Sequence, residues 1–272
     1  MDKFTYEHQH YPHISVVIPA LNEAQNLQYV LPYIPLMISE VILVDGYSTD
    51  ETVEVAQRLL PTIRIVEQTG KGKGNALREG FAACTGEIIV MLDADGSANP
   101  GEISHFVEAL LAGNDFAKGS RFIKGGCSDD ITPVRRLGNQ LLSKLTNVLF
   151  RTHFSDLCYG YNAFWKYCLD HVEVDSDGFE IETLINLRMH KAGLKIVEVP
   201  SFEHRRIFGT SKLRTFRDGW RVFKTILKEH RNKSSPPSQQ PGLTAPLDVT
   251  SQTSTTEEIV LESSASRSPL YE

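Results

Sequence analysis

The chain of 272 residues has no run near the roughly 18 consecutive apolar residues that a membrane-spanning helix needs. Any contact with a bilayer is therefore expected to be peripheral. The opening stretch, MDKFTYEHQHYPH, has no apolar segment, which argues against a secretory leader. Cysteine is scarce. Cys84, Cys127, Cys158 and Cys168 show neither CxxC pairing nor zinc-ligand spacing, so they read as ordinary thiols of a reducing, cytoplasmic compartment. The GxxxxGK[ST] pattern of a P-loop is missing. An excess of positive charge is missing too, since the net charge is −6, and this speaks against general nucleic-acid binding. What is present is a globular composition, 41% hydrophobic and 23% charged, of a length for one large domain or two small ones.

The first half alternates short apolar runs with helical patterns. Ile14 to Ile18 reads as a buried strand stopped by Pro19. Asn22 and Gln25 have the spacing of a capping box, and Leu27, Val30, Leu31 and Ile34 predict a helix made irregular by Pro32 and Pro35. Val41 to Val44 is a second strand ending at Asp45, and Ser48 with Glu51 predicts the cap of the next helix. Asp45 suits contact with a base or ribose, or serves as a turn residue holding local backbone. Ile63 to Val66 is a third strand. The loop Gly70-Lys71-Gly72-Lys73-Gly74 follows it and leads into a helix containing Arg78. Glycines there let backbone approach a ligand, and a helix N-terminus with lysines favours anions; a plain surface loop is the other reading.

A fourth run, Ile88 to Leu92, ends in Asp93-Ala94-Asp95, followed by the turn residues Gly96, Ser97, Asn99 and Pro100. Ligands of open α/β sheets sit beyond the carboxyl ends of strands. Two carboxylates there repel unless a cation lies between them, and a hard divalent ion sharing substrate phosphate oxygens meets that need. The alternative is a capping Asp93 and a solvated Asp95. Alternating β and α elements predict a mostly parallel sheet with helices on both faces.

The second half is less regular. Helical patterns run through Ile103–Leu110 and Leu137–Leu149, with a strand over 116–122 between them. The aromatic stretch 156–165 reads as an edge strand and core. Glu180 and Glu182 open another helix, and residues two apart do not share a helix face, so at most one of them is expected at a site. Lys195 to Val199 is a further strand. His204-Arg205-Arg206 and Thr210-Ser211-Lys212 read as an anion clamp on a loop. Residues 201–233 carry ten Lys/Arg against three Asp/Glu. Within them, Phe216, Trp220, Phe223 and Leu227 line one face of a helix flanked by Arg217, Arg221, Lys224 and Lys228. This helix is either docked on the domain or laid on an anionic membrane. The expected boundaries are an extension over 1–13, a catalytic domain over 14–213, the basic helix over 214–231 and a disordered tail over 232–272.

Six stretches together resemble the family 2 glycosyltransferases of GT-A fold, and within them the dolichol-phosphate and polyprenyl-phosphate hexose synthases. They are VVIPALNEAQNL (16–27), VILVDGYSTDET (41–52), GKGNALREG (72–80), VMLDADGSANP (90–100), GSRF (119–122) and HRRIFGTSKL (204–213), in the order that family shows. The resemblance implies that Pro19, Ala20, Asn22 and Glu23 line a nucleotide pocket with Asp45 near the base or ribose. It makes Asp93 and Asp95 a DxD pair holding Mg²⁺ or Mn²⁺ against the donor diphosphate. Lys73 would join the donor site, Arg121 would lie near an acceptor phosphate, and Arg206, Ser211 and Lys212 would close on phosphates. There are departures. Relatives often read VDDGS where this chain has Val44-Asp45-Gly46-Tyr47-Ser48, and Ser97 stands where mannosyl members carry Gln. DADG followed by Ser97 looks closer to the glucosyl-phosphate branch, whose donor is UDP-glucose.

The implied activity is inverting, metal-dependent hexosyl transfer from UDP-glucose or GDP-mannose to a polyprenyl or dolichyl phosphate, or else to a soluble or glycan hydroxyl. Arg206 and Lys212 would stabilise the leaving diphosphate. A phosphate acceptor needs no general base; a hydroxyl acceptor does, with Glu180 the candidate and Asp156 behind it. A sugar-nucleotide pyrophosphorylase is disfavoured, because its glycine-rich loop would stand where Pro19 to Glu23 does. A non-catalytic scaffold is disfavoured by the acidic pair and the anion clamp.

Overall fold

The computed structural model describes residues 11–232. Seven strands form one sheet in the order β3-β2-β1-β4-β7-β5-β8. They are β1 (Ile14–Ala20), β2 (Glu40–Asp45), β3 (Arg64–Glu67), β4 (Ile88–Met91), β5 (Phe116–Ser120), β7 (Asn162–Trp165) and β8 (Ile196–Pro200); β6 (Cys127–Ser128) and β9 (Phe202–Glu203) make a separate two-stranded ladder. The first four strands of the sheet are parallel, so Ala20, Asp45, Glu67 and the residues after Met91 come out at one edge. β7 runs antiparallel to both β4 and β5 and lies inside the sheet. This corrects the expected edge strand. Ala163 and Phe164 are fully buried because neighbouring strands and both faces cover them.

Successive strand residues point to opposite faces, and both faces are apolar. Val16, Ile18, Leu43 and Val90 pack with Val55 of α1 (Thr52–Leu59) and with Ile103 and Phe106 of α3 (Ile103–Leu111). Val17, Ile42, Val44 and Met91 pack on the other face with Leu77 and Phe81 of α2 (Lys73–Ala83) and Leu184 of α5 (Ile181–Lys191). The expected doubly covered, mostly parallel sheet is the observed one.

Local predictions hold less well. The helix expected after Asn22 is two 3₁₀ turns, Leu27–Tyr29 and Leu31–Tyr33, because Pro32 cannot donate within a continuous helix. Neither predicted capping box forms. Asn22 takes φ 53° and accepts a hydrogen bond from the Thr49 amide at 2.7 Å, while Ser48 Oγ accepts from the Asn22 amide. The cross-loop bonds between the ends of β1 and β2 have claimed both would-be caps.

Helix α4 (Pro133–Phe150) packs with α5 and α6 (Thr215–Arg231) around Phe154, Leu157, Leu187, Val222 and Ile226. α6 docks through Asp218, Val222, Ile226 and Glu229, so Phe216 and Trp220 of the expected aromatic face point outward at 85% and 56% exposure. Glu229 fastens its far end, accepting from Arg188 at 2.9 Å and Lys191 at 2.8 Å. The tail expected over 232–272 falls, beyond Asn232, outside the described residues, as do residues 1–10.

Burial raises the pKa of Glu229, but hydrogen bonds from Arg188 and Lys191 outweigh it and hold the carboxyl below its ordinary value. A carboxylate whose pKa is depressed on folding adds stability above its unfolded pKa, about 4.3, and loses it as pH falls through the folded value. Glu229→Gln is therefore expected to melt below wild type at pH 7, with the gap closing as pH drops toward 3. A gap that stays constant with pH in thermal melts would show that the carboxylate charge does not hold α6.

Candidate active site

Two cavities meet at the end of β4. One, of about 470 Å³, is walled by the ends of β1, β2 and β3 through Pro19, Ala20, Gly46 and Gln68. The other, of about 190 Å³, lies toward α4 and α6 and is lined by Arg121, Arg135, Leu142, Tyr159, Leu213 and Val222. Lys73, Asp93, Asp95, Phe179, Arg206, Ser211 and Leu213 line both.

The aspartates expected to need a cation have protein cations. Lys73 Nζ lies 2.6 Å from Asp93 and 2.6 Å from Glu182. Arg206 Nη2 lies 2.5 Å from Asp95 Oδ2. Ser97 donates from its amide and hydroxyl to Asp95 Oδ1 at 3.0 and 2.7 Å, so the residue that departs from the mannosyl pattern orients the second aspartate. Burial opposes the Lys73 charge, but Asp93 and Glu182 outweigh it and lift its pKa above the ordinary value. Burial pushes the Glu182 carboxyl up against the pull of Lys73, and the Asp93 charge adds to the push.

Glu182, which the sequence reading passed over, thus faces the site, and Glu180 does not. Glu180 precedes α5 and curls back onto its own loop, where Ser176 Oγ donates to it at 2.7 Å. Glu182 is inside the first turn and points the other way. The helical rule that separated the two was right; the phase was not readable without the start of α5. Asp156, the reserve base, is fully buried and occupied by Arg121 at 2.7 Å and by Asn139 at 3.0 Å.

The glycine loop serves the fold as well as the cavity. A Cβ on Gly72 would stand 2.2 Å from the Asp177 carbonyl oxygen, and one on Gly74 would stand 2.1 Å from that of Ser176. These glycines admit the backbone of the loop before α5, and Gly70, Lys71 and Gly72 also line the larger cavity. Arg78 ties the same loop down through Asp177 at 2.6 Å and the Ser176 carbonyl. The stitching aims Lys73 between its two carboxylates.

Arg121 lines the smaller cavity, but Asp156 and Glu203 take up its guanidinium, which also stacks 4.7 Å from the Tyr159 ring centroid. It is a neutralised hub. Arg135 of α4, missed in the sequence, lines the same cavity and donates to neutral oxygens, Thr215 Oγ1 and the Leu213 carbonyl.

The loop 204–213 closes over the larger cavity. Lys212 donates to the Leu21 carbonyl and lies 3.2 Å from Glu23. Asn26 exchanges hydrogen bonds with the Phe208 backbone at 3.0 and 3.3 Å. Asn22 is exposed and does not line either cavity. Asp45 is buried behind Gly46, with Oδ2 accepting from the Ser48 amide and Oδ1 lacking a partner. Arg206 Nε is likewise buried with no acceptor.

Among the described residues, no three His, Cys, Asp or Glu side chains cluster to hold a metal by themselves. Asp93 and Asp95 fit an ion that binds through one or two carboxylates and fills its shell with water and phosphate oxygens. The unpaired Arg206 Nε beside them fits the anion such an ion would accompany.

A family model described as glycosyl transferase family 2 matches residues 15–172, more than half of the chain. The chain belongs to that family. This family 2 glycosyltransferase is 32% identical over 216 residues to the dolichol-phosphate mannosyltransferase of Pyrococcus furiosus, covering 74% of this chain and 59% of that enzyme. It is 32% identical over 220 residues to the polyprenol monophosphomannose synthase of Mycolicibacterium smegmatis, covering 73% and 80% respectively. Glycosyltransferase AglJ of Haloferax volcanii is 30% identical over 226 residues, covering 81% and 73%. In fold it is similar to glucosyl-3-phosphoglycerate synthase of Mycobacterium tuberculosis, with a TM-score of 0.66 at 24% identity, over 85% of this chain and 83% of that one.

Removing one member of a buried ion pair costs about 3–5 kcal/mol, because the partner stays charged and unpaired. Lys73→Met is expected to lower the urea midpoint accordingly, and adding Glu182→Leu to recover part of the loss. Equal midpoints for Lys73→Met and wild type would show that the triad does not hold the site together.

Proposed function

We propose that this glycosyltransferase moves a hexose from a nucleoside diphosphate sugar to a lipid phosphate, with inversion at the anomeric carbon. The observation that carries this reading is the junction of two unlike cavities at Lys73, Asp93, Asp95 and Arg206. The larger, at the strand ends, suits the donor nucleotide. The smaller combines apolar Ile131, Leu142 and Val222 with Arg135, which suits a phosphate carrying hydrocarbon.

Asp93 and Asp95 would hold Mg²⁺ or Mn²⁺, which when bound supplies Lewis-acid neutralisation of diphosphate charge. The solved M. tuberculosis synthase has been captured with Mn²⁺ and UDP. In the reaction, an acceptor oxygen bonds to the anomeric carbon as the bond to the diphosphate oxygen breaks and its electrons stay on the leaving group. Arg206 presents its free Nε, and Lys212 its ammonium, where that charge grows. Glu182 is committed to Lys73 and Asp156 to Arg121, so neither stands ready to take a proton. A phosphate acceptor, already anionic, needs no base. A hydroxyl acceptor would have to use another carboxylate of the smaller cavity, such as Asp130.

The helices bounding the acceptor cavity carry exposed apolar side chains. They are Val134, Leu137, Leu141 and Val148 on α4, and Phe216 and Trp220 on α6, beside the cations of α6. Among the described residues no helix is long and apolar enough to cross a membrane. Peripheral contact with an anionic bilayer through α4 and α6 would bring a lipid phosphate to the cavity.

Release of nucleoside diphosphate from UDP-glucose and GDP-mannose, with Mg²⁺ or Mn²⁺ and with or without polyprenyl phosphate, tests the reaction. One donor is expected to turn over only with lipid, and Asp95→Ala or EDTA to abolish it; lipid-independent turnover would sink the acceptor assignment. Sedimentation with phosphatidylserine vesicles is expected to carry the protein down at low salt, and Trp220→Glu with Leu141→Glu to prevent it. No salt-sensitive pelleting of wild type would remove the membrane surface.

A further inference from the structure

Tyr47 takes φ 64°, the left-handed region that bulky side chains rarely adopt. Nothing about burial accounts for this, since the side chain is 59% exposed. Strained backbone kept without a packing reason concentrates at ligand sites. Tyr47 lines the larger cavity, and its hydroxyl reaches across from the end of β2 toward the Thr69 carbonyl beyond β3, at a long 3.5 Å. The ring is thus a wall of that cavity, tethered at its tip and open on a face.

Its neighbours are ordered for a flat, hydrogen-bonding ligand. A Cβ on Gly46 would lie 2.9 Å from Gln68 Oε1 and 3.2 Å from the Ala20 carbonyl, so the strand ends close up behind the ring. Asp45, behind Gly46 and not itself part of the cavity wall, is 9% exposed and has Oδ1 without a donor while its other oxygen is satisfied. A buried acceptor left without a donor points to an N–H supplied by a ligand.

We infer that Tyr47 is the stacking platform for the donor's nucleobase, a residue that sets the affinity of this chain for the donor nucleoside. The inference rests on the donor assignment of the larger cavity. Base–aromatic stacking is tolerant of base identity, so the ring sets affinity for a nucleoside, and contacts to the base edge are left to choose among bases.

The test is calorimetric binding of UDP, GDP and inorganic pyrophosphate, each with Mg²⁺, to the full chain and to Tyr47→Gly and Tyr47→Phe. Glycine suits the left-handed backbone, so Tyr47→Gly is expected to melt no lower than wild type. It is expected to bind the preferred nucleoside diphosphate about tenfold more weakly and pyrophosphate unchanged, while Tyr47→Phe keeps wild-type affinity. Unaltered nucleotide affinity in Tyr47→Gly would overturn the inference. So would an equal loss for pyrophosphate, which would mark a distorted loop and not a lost stack. If wild type binds pyrophosphate but neither nucleotide any better, the base contributes nothing and the platform is refuted alone. If wild type binds none of the three, the donor site itself fails.

Discussion

Two aspartates at the end of a buried strand cannot share a site without positive charge between or beside them, and the site is built around meeting that condition. The cations come from distant parts of the chain. Lys73 enters on the first residue of α2, and Arg206 from the loop that follows β9. Each needs its own support. Lys73 is aimed by Glu182 from α5 and by a loop pressed so closely on α2 that only glycines fit beneath it. Arg206 belongs to a loop fastened at Asn26, Leu21 and Glu23. The charge balance at β4 therefore joins both halves of the molecule, and a change at any anchor alters the electrostatics of the site.

Much of this was legible in the sequence because strand ends are marked twice, by the end of an apolar run and by an abrupt polar residue. Asp45, Asp93 and the sheet class follow from that signal. The DxD pair and the clamp loop rest further on six motifs in order. The failures have physical causes. Glu180 and Glu182 were separable by helical geometry, but which one turns inward depends on where α5 starts, and helix starts are set by tertiary contacts. Asn22 and Ser48 looked like caps because the same short polar side chains also bridge loops. Arg121 lines the smaller cavity, but the sequence carries no sign that Asp156 and Glu203 are brought beside it by folding.

The aromatic pattern of α6 illustrates a different limit. Its periodicity was readable, but the buried face is set by Val222, Ile226 and Glu229, not by the larger rings. Amphipathic helices normally bury their aromatic side, since these rings carry the most apolar area. Here a short salt-bridged stripe docks the helix, and Phe216 and Trp220 are left outside. α4 shows the same division, with Leu142, Leu145 and Leu149 inward and Leu137 and Leu141 outward. Two adjacent helices that both turn apolar side chains outward beside one cavity make a surface whose exposure is organised.

The position of β7 bears on how the protein is made. β1 to β4 are contiguous in sequence order and emerge from the ribosome first, yet β4 finds its second neighbour only in Asn162–Trp165. Until that segment is synthesised, Ile88–Met91, buried at every residue in the finished sheet, is an open apolar edge. Such an edge is a template for pairing with other chains. The nascent protein thus carries a fully apolar strand uncovered from the end of β4 until β7 is made, an interval in which it is exposed to pairing with other chains.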